Sequence, residues 1–142
     1  MGRARSSLDL DLDPDVNIGL KLPMNYDEGC GFFPGHSTTL SQTSSNIRNL
    51  LLTNRGERMG QPTFGADLLL TLFEPMSEEL IESVTQKISE SMADWLPHVI
   101  VGKLNVQPDD IEPNKLIIEI EFSLTSNPDV FETITLDFAT GE

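Results

Sequence analysis

Three carboxylates in and after a glycine-rich loop, Glu57, Asp67 and Glu74, are the residues from which a glycosidase site could be built. Glycoside hydrolysis needs two carboxyl groups about 5–9 Å apart, one of them held protonated as a general acid. Glu57 lies between Arg55 and Arg58, which favour its ionised form. Asp67 is expected in the first turn of a short helix, where aspartate commonly interacts with the helix dipole. We therefore expect Glu57 to be an ion-pair partner of the arginines, and no enzymatic activity.

Metal binding and nucleophilic catalysis find no better support in the sequence. His36 and His98 are far apart, and neither an HExxH nor a CxxC motif is present. Cys30 is the only cysteine, so an intramolecular disulfide is impossible, and we identify no base that would activate its thiol. We expect no catalytic residue, no metal site and no cofactor.

The charge balance excludes two classes of partner. Nine basic and 23 acidic residues give a formal net charge of −14. Nucleic acid and anionic membrane surfaces are bound by lysine and arginine, so we expect neither as a partner. No apolar run approaches the roughly 18 residues of a membrane span.

Apolar periodicity predicts helices followed by strands. Spacings of three and four residues, with capping residues and prolines at the ends, indicate helices, and strict alternation indicates strands. The predicted helices cover 41–54, 66–73 and 77–95, and the predicted strands cover 18–22, 98–106, 115–125 and 131–138.

This order of elements predicts an α+β fold. It consists of an N-terminal arm and short strand, followed by two to three helices packed on a C-terminal three-stranded antiparallel meander. We expect an extended arm over residues 1–17, where leucines alternate with aspartates, and a single domain over residues 18–142.

The last strand of the meander is a candidate interaction surface, because a strand at an open edge can accept a partner strand. The acidic residues Glu132 and Asp137 would limit promiscuous pairing while permitting a basic partner. An ordinary edge strand covered by a loop explains the pattern equally well. The candidate partner-binding residues are Phe131, Thr133, Thr135 and Asp137.

Three spaced motifs resemble one protein family. They are the run from Asn46 to Arg58, which ends in T-x-x-G-E-R, the loop Pro62-x-x-Gly65, and Leu72-Phe73-Glu74-Pro75. Together they resemble the small baseplate wedge protein of contractile-tailed phages, also found in type VI secretion baseplates and often labelled "lysozyme-like". The family is understood as structural. Position 76 is methionine where the family has an arginine that contacts neighbouring wedge proteins. Either another group supplies that positive charge, or the contact with the wedge proteins differs.

The resemblance implies a location and a set of partners. Six copies would surround the tail tube in the virion tail baseplate, after assembly in the host cytoplasm. The C-terminal sheet would offer its edge to the tail sheath protein and template the first sheath ring. Two alternatives remain, a peptidoglycan hydrolase and a soluble regulatory adaptor on the same fold. The residues implied to contact the other wedge proteins are Arg55, Glu57, Arg58, Glu74 and Pro75.

Overall fold

A computed structural model describes residues 16–22, 24, 26, 34–71, 77–109, 111–112 and 115–139. The chain divides into two compact units, Met1–Arg48 and Asn49–Glu142. The predicted α+β class is confirmed, whereas residues 1–15 of the predicted arm lie outside the described part. The elements are β1 (Gly19–Leu20), β2 (Gly35–His36), α1 (Thr39–Leu52), α2 (Leu68–Thr71), α3 (Glu78–Trp95), β3 (Val99–Pro108), β4 (Lys115–Leu124) and β5 (Asn127–Ala139).

The first unit contains a small hairpin and the start of a helix. β1 pairs antiparallel with β2, so only two residues of the strand predicted at 18–22 are paired. Helix α1 begins two residues earlier than predicted, because the Thr38 hydroxyl accepts a hydrogen bond from the Ser41 N–H at 3.3 Å and caps the helix. Inside the helix, the Thr43 hydroxyl donates to the Thr39 carbonyl at 2.8 Å.

His36 links β2 to α1 through both ring nitrogens. Its Nε2 lies 2.7 Å from the Ser45 hydroxyl and its Nδ1 lies 2.6 Å from the Ser41 hydroxyl. The same Ser45 oxygen accepts a hydrogen bond from the Leu22 N–H at 3.3 Å. Burial lowers the pKa of His36, and the positive charge of Lys21 lowers it further. The described contacts therefore give this histidine a structural role in the first unit.

The second unit contains the remaining helices. Ser77 caps α3 as an N-cap residue, since its hydroxyl accepts from the Leu80 N–H at 3.2 Å. Helix α3 buries apolar residues at the helical spacing from which it was predicted. Helix α2 begins at Leu68, two residues later than predicted, and residues 72–73 of the predicted helix lie outside the described part of the chain. Among the described residues, no helix has the length and apolar character needed to cross a membrane. The buried α3 residues are Leu80, Val84, Ile88, Ser91 and Met92.

The three C-terminal strands form an antiparallel sheet in the order β3-β4-β5. Alternate residues of β4 form a buried inner row, as predicted from its period of two. β5 is longer than predicted, because a two-residue turn leads directly into it and a bulge follows. Ser123 pairs with Phe131 and Leu124 pairs with Asn127, so residues 127–130, which lie between the predicted strands, form the start of β5 and its bulge. The inner row comprises Leu116, Ile118, Ile120, Phe122 and Leu124.

The two outer strands of this sheet differ in their surroundings. Helix α3 lies against β3, and β3 carries a bulge between Val101 and Lys103. β5 pairs with β4 without interruption from Phe131 to Ala139, and no further strand pairs with it in the described part of the chain. β5 therefore presents the longer regular edge.

Candidate functional site

The segment between α1 and α2, residues 53–67, forms a closed loop that we call the 53–67 loop. The Gly56 N–H donates to the Pro62 carbonyl at 2.8 Å, and the Ala66 N–H donates to the Thr53 carbonyl at 3.2 Å. These two hydrogen bonds fix its ends and its middle. The loop therefore has a defined shape although most of its residues are exposed.

Glu57 holds the start of this loop by hydrogen bonds to Asn54. One carboxylate oxygen accepts from the Asn54 backbone N–H at 3.1 Å, and the other accepts from the Asn54 side-chain amide at 2.9 Å. The prediction that Glu57 forms an ion pair with Arg55 and Arg58 is wrong. Its carboxylate binds Asn54 just after the end of α1, and in the described structure the arginines have other partners.

Asp67 joins the two ends of the 53–67 loop. Its Oδ1 accepts a hydrogen bond from the Arg55 backbone N–H at 2.7 Å, and its Oδ2 lies 3.9 Å from Arg55 Nε. The prediction that Asp67 lies in the first turn of a helix is wrong. Asp67 has a φ of 53° and precedes α2, which begins at Leu68. This backbone turns the carboxylate back towards Arg55.

Arg58 lies over an aromatic pair. Its guanidinium carbon is 3.9 Å from the centre of the Phe64 ring, a cation–π arrangement. The Phe64 ring meets Trp95 edge to face, with ring centres 5.1 Å apart. The side chains of Arg55, Glu57 and Arg58 thus stabilise the loop itself.

Gly65 brings the loop against its neighbours. It has a φ of 126°, and its carbonyl accepts from Arg55 Nε and from the Ser91 hydroxyl, each at 3.3 Å. The exposed tip of the loop carries Met59, whose side chain is 100% exposed. Met59 is not among the contact residues predicted from the sequence, although an apolar residue next to Gly60 in a polar loop is an indication of a contact site. Glu74 and Pro75 lie outside the described residues.

The carboxylates considered for glycosidase chemistry have structural partners where the structure describes them. Glu57 bonds to Asn54, and Asp67 bonds to Arg55. A general acid needs an environment that favours its protonated form. In the described structure both carboxylates instead accept hydrogen bonds from backbone N–H groups of the 53–67 loop and hold it in shape.

Two hydrogen bonds, one at each end of the β3–β4 pair, show which backbone groups of β5 face outward. The Asp109 N–H donates to the Lys115 carbonyl at 2.8 Å, and at the other end the Thr125 N–H donates to the His98 carbonyl at 3.0 Å. Odd-numbered residues of β4 therefore bond to β3. Successive residues of a strand direct their N–H and C=O groups to opposite sides, so the even-numbered residues bond to β5.

The register between β4 and β5 extends this alternation of backbone hydrogen bonds to the open edge of β5. Ile120 pairs with Ile134, and the pairs on either side follow the same register. From Phe131 onward, the even-numbered residues of β5 therefore use their backbone groups to bond β4. The N–H and C=O groups that face the open edge belong to the odd-numbered residues, which include all four predicted contact residues: Phe131, Thr133, Thr135 and Asp137.

The side chains of β5 form two different rows. Ile134, Leu136 and Phe138 are each 3% exposed and belong to the core. On the opposite face, Phe131 is 56% exposed. Asp137, also on that face, is engaged by Lys115, whose Nζ lies 3.4 Å from its carboxylate.

Glu132 is the exception in the inner row of β5. It pairs with the fully buried Phe122 and is half-buried. Burial raises the pKa of the Glu132 carboxyl. In the described part of the chain no lysine or arginine lies within 4 Å of it, whereas Asp137 has Lys115. Among the described residues, Glu132 therefore has no counter-charge, and it lies at the start of the regular edge.

Comparison with known proteins identifies the family. The profile of the baseplate wedge protein gp25 family matches residues 38–129. The baseplate wedge protein gp25 of Enterobacteria phage T4 is 31% identical over 127 residues, which cover 88% of this chain and 89% of the phage protein. The chain belongs to the gp25 baseplate wedge family. The family resemblance inferred from the sequence motifs is confirmed.

Solved structures share the fold of this gp25 family member. A Geobacter sulfurreducens protein described as a tail lysozyme superposes with a TM-score of 0.68 at 22% identity, over 77% of this chain and 97% of its own. A chain of the anti-feeding prophage baseplate superposes with a TM-score of 0.54 at 16% identity, over 87% of this chain and 85% of its own. At these identities the two likenesses show the fold alone.

Proposed function

We propose that this chain is a non-enzymatic component of a contractile-tail baseplate and that β5 accepts an extended arm of the first sheath ring. The supporting observation is the open edge of β5, where the N–H and C=O groups of alternate residues from Phe131 onward face outward over nine regularly paired positions. Main-chain hydrogen bonds would form the joint, and the alternation of side chains would set its register. The sheath would then remain attached to the baseplate while it contracts.

The proposal extends to the assembly around this chain. Six copies would surround the tail tube in the virion baseplate, each bound to neighbouring wedge proteins, after assembly in the host cytoplasm. Family membership supports the baseplate location. The predicted wedge-contact residues Arg55, Glu57 and Arg58 would act by holding the loop in shape, while its exposed tip makes the contact.

Thr135→Pro tests the edge directly. The Thr135 N–H faces the open edge, so proline removes a donor to the partner strand without removing a bond to β4. We expect a folded protein, destabilised by about 1 kcal/mol, that recruits at least about tenfold less sheath. Co-sedimentation of sheath protein with assembled baseplates provides the measurement.

Thr135→Val is the matched control for this experiment. It changes the same side chain but keeps the edge-facing N–H, and sheath recruitment should be retained. Normal sheath assembly on Thr135→Pro baseplates would contradict strand pairing along β5.

Met59→Asp tests the 53–67 loop as the wedge-contact surface. Met59 is fully exposed, so we expect an unchanged melting temperature. Binding to the neighbouring wedge protein should weaken about tenfold, because an apolar contact residue is replaced by a charge. Gln61→Asp places the same charge on the same exposed loop and should have a smaller effect. Equal affinities for wild type and Met59→Asp, measured by calorimetry, would show that the wedge protein binds elsewhere.

The non-enzymatic assignment is tested on peptidoglycan. We expect the purified chain to cause no loss of turbidity in a peptidoglycan suspension, with hen egg-white lysozyme as the positive control. Clearing by wild type that is abolished in Glu57→Gln or Glu74→Gln would identify a hydrolase and overturn the structural role.

A further inference from the structure

We infer that Glu132 fixes the register of the strand that β5 accepts, by pairing with a lysine or arginine on the inner face of that strand. This inference rests on the proposed strand addition at β5. It names a partner residue type and a position that strand addition by itself does not require.

The charges of β5 leave one carboxylate available in its regular portion. β5 contains no lysine or arginine, and its acidic residues are Asp129, Glu132 and Asp137. Asp129 lies in the bulge and is exposed. Asp137 is already paired with Lys115 at 3.4 Å. Glu132 is the remaining acid, and the described residues supply no cation to it.

The position of Glu132 favours a close side-chain pair. Its backbone groups bond to β4, so they do not bond to an added strand. In an antiparallel ladder, such non-hydrogen-bonded pairs bring the two Cα atoms to about 4.5 Å, compared with about 5.5 Å for hydrogen-bonded pairs. A residue placed opposite Glu132 would therefore have its side chain close to the carboxylate and on the same face.

The residues around Glu132 make a change in the register of the added strand energetically unfavourable. Its inner-row neighbours Ile134, Leu136 and Phe138 are buried apolar residues, so the added strand should present apolar residues beside them. A slip by two residues keeps the strand on the same face but moves its cation from Glu132 to a position beside Ile134. Burying that charge without a partner is unfavourable, and Glu132 loses its counter-charge in the same step.

Host–guest peptides test this assignment on the full chain. The probes are nine-residue peptides of alternating threonine and valine in which lysine replaces one valine at each position in turn. A matched set has norleucine at the same positions. Backbone amide shifts of β5 in isotope-labelled protein report binding and its affinity.

The expected result is an increase in affinity when lysine occupies one particular position of the peptide. That peptide should bind wild type about fivefold more tightly than its norleucine counterpart. Glu132→Gln should abolish the gain, and Asp129→Asn, which removes the same charge from the same strand, should retain it. The difference between these two variants separates the specific pairing of Glu132 with the peptide lysine from the general attraction of an acidic protein for a cation.

Three results would overturn the inference, and they are distinguishable. An equal increase in affinity at every lysine position would indicate only the general attraction of an acidic protein for a cation. An increase that persists in Glu132→Gln would indicate the same. Tighter binding of norleucine peptides to Glu132→Gln without any lysine gain in wild type would show that Glu132 merely repels strands from the edge. If no peptide shifts the β5 amides, strand addition itself fails, and the inference fails with it.

Discussion

Replacing Gly65 with alanine should destabilise the domain by about 3 kcal/mol. A Cβ atom at this position would lie 2.4 Å from the Thr53 carbonyl oxygen and 2.9 Å from the carbonyl carbon of Asn54. Both are backbone atoms at the end of α1, so neither can move away cheaply. The φ of 126° adds strain for any residue with a side chain. The midpoint of urea-induced unfolding should fall accordingly.

Gly60→Ala is the control, because it makes the same chemical change in the same loop. In the described part of the chain, nothing lies within 4 Å of a Cβ atom placed on Gly60. We expect the free energy of unfolding to increase by no more than about 1 kcal/mol, because alanine restricts the conformations of the unfolded chain. If the two variants have equal unfolding midpoints, the close approach of Gly65 to Thr53 does not limit stability.

Removal of residues 129–142 should unfold the second unit. The deletion removes three core side chains, Ile134, Leu136 and Phe138, and uncovers one side of β4. Each truncated core residue costs about 2–5 kcal/mol, so the sum reaches the whole stability of an ordinary domain, about 5–15 kcal/mol. Loss of the cooperative thermal transition in circular dichroism is the expected observation.

A chain that ends at Ala139 is the control for the deletion, because it keeps every paired residue of β5. It should unfold cooperatively. A cooperative transition in the longer deletion would show that β5 contributes little to the core. The expected unfolding also means that this deletion cannot report on sheath recruitment, for which Thr135→Pro is the suitable variant.

The extents of the regular elements were largely predictable, because periodicity is a local property. The five alternating apolar residues of β4 and the stripe of α3 each appear within a single segment of sequence. The Ser77 cap was predictable for the same reason, since its bond spans three residues. The start of β5 was not, because a bulge near Pro128 depends on how the strand fits against β4.

The partners of the charged loop residues could not be derived from neighbours in sequence. Glu57 lies beside two arginines in the chain, yet it binds Asn54, while Arg55 reaches Asp67. The position of Gly65 depends on Ser91, 26 residues further along the chain. Such contacts form only when the end of α1, the 53–67 loop and α3 are packed together, so the ion pair predicted from adjacent residues was wrong.

The sequence by itself determined the α+β class and the family. These follow from apolar periodicity and from motifs whose residues are close together in the chain. Only the tertiary structure decided which backbone groups of β5 face the open edge and which of its carboxylates has no counter-charge among the described residues. Both depend on register and on contacts between strands, such as Lys115 with Asp137. A shift of one residue would reverse every one of these assignments.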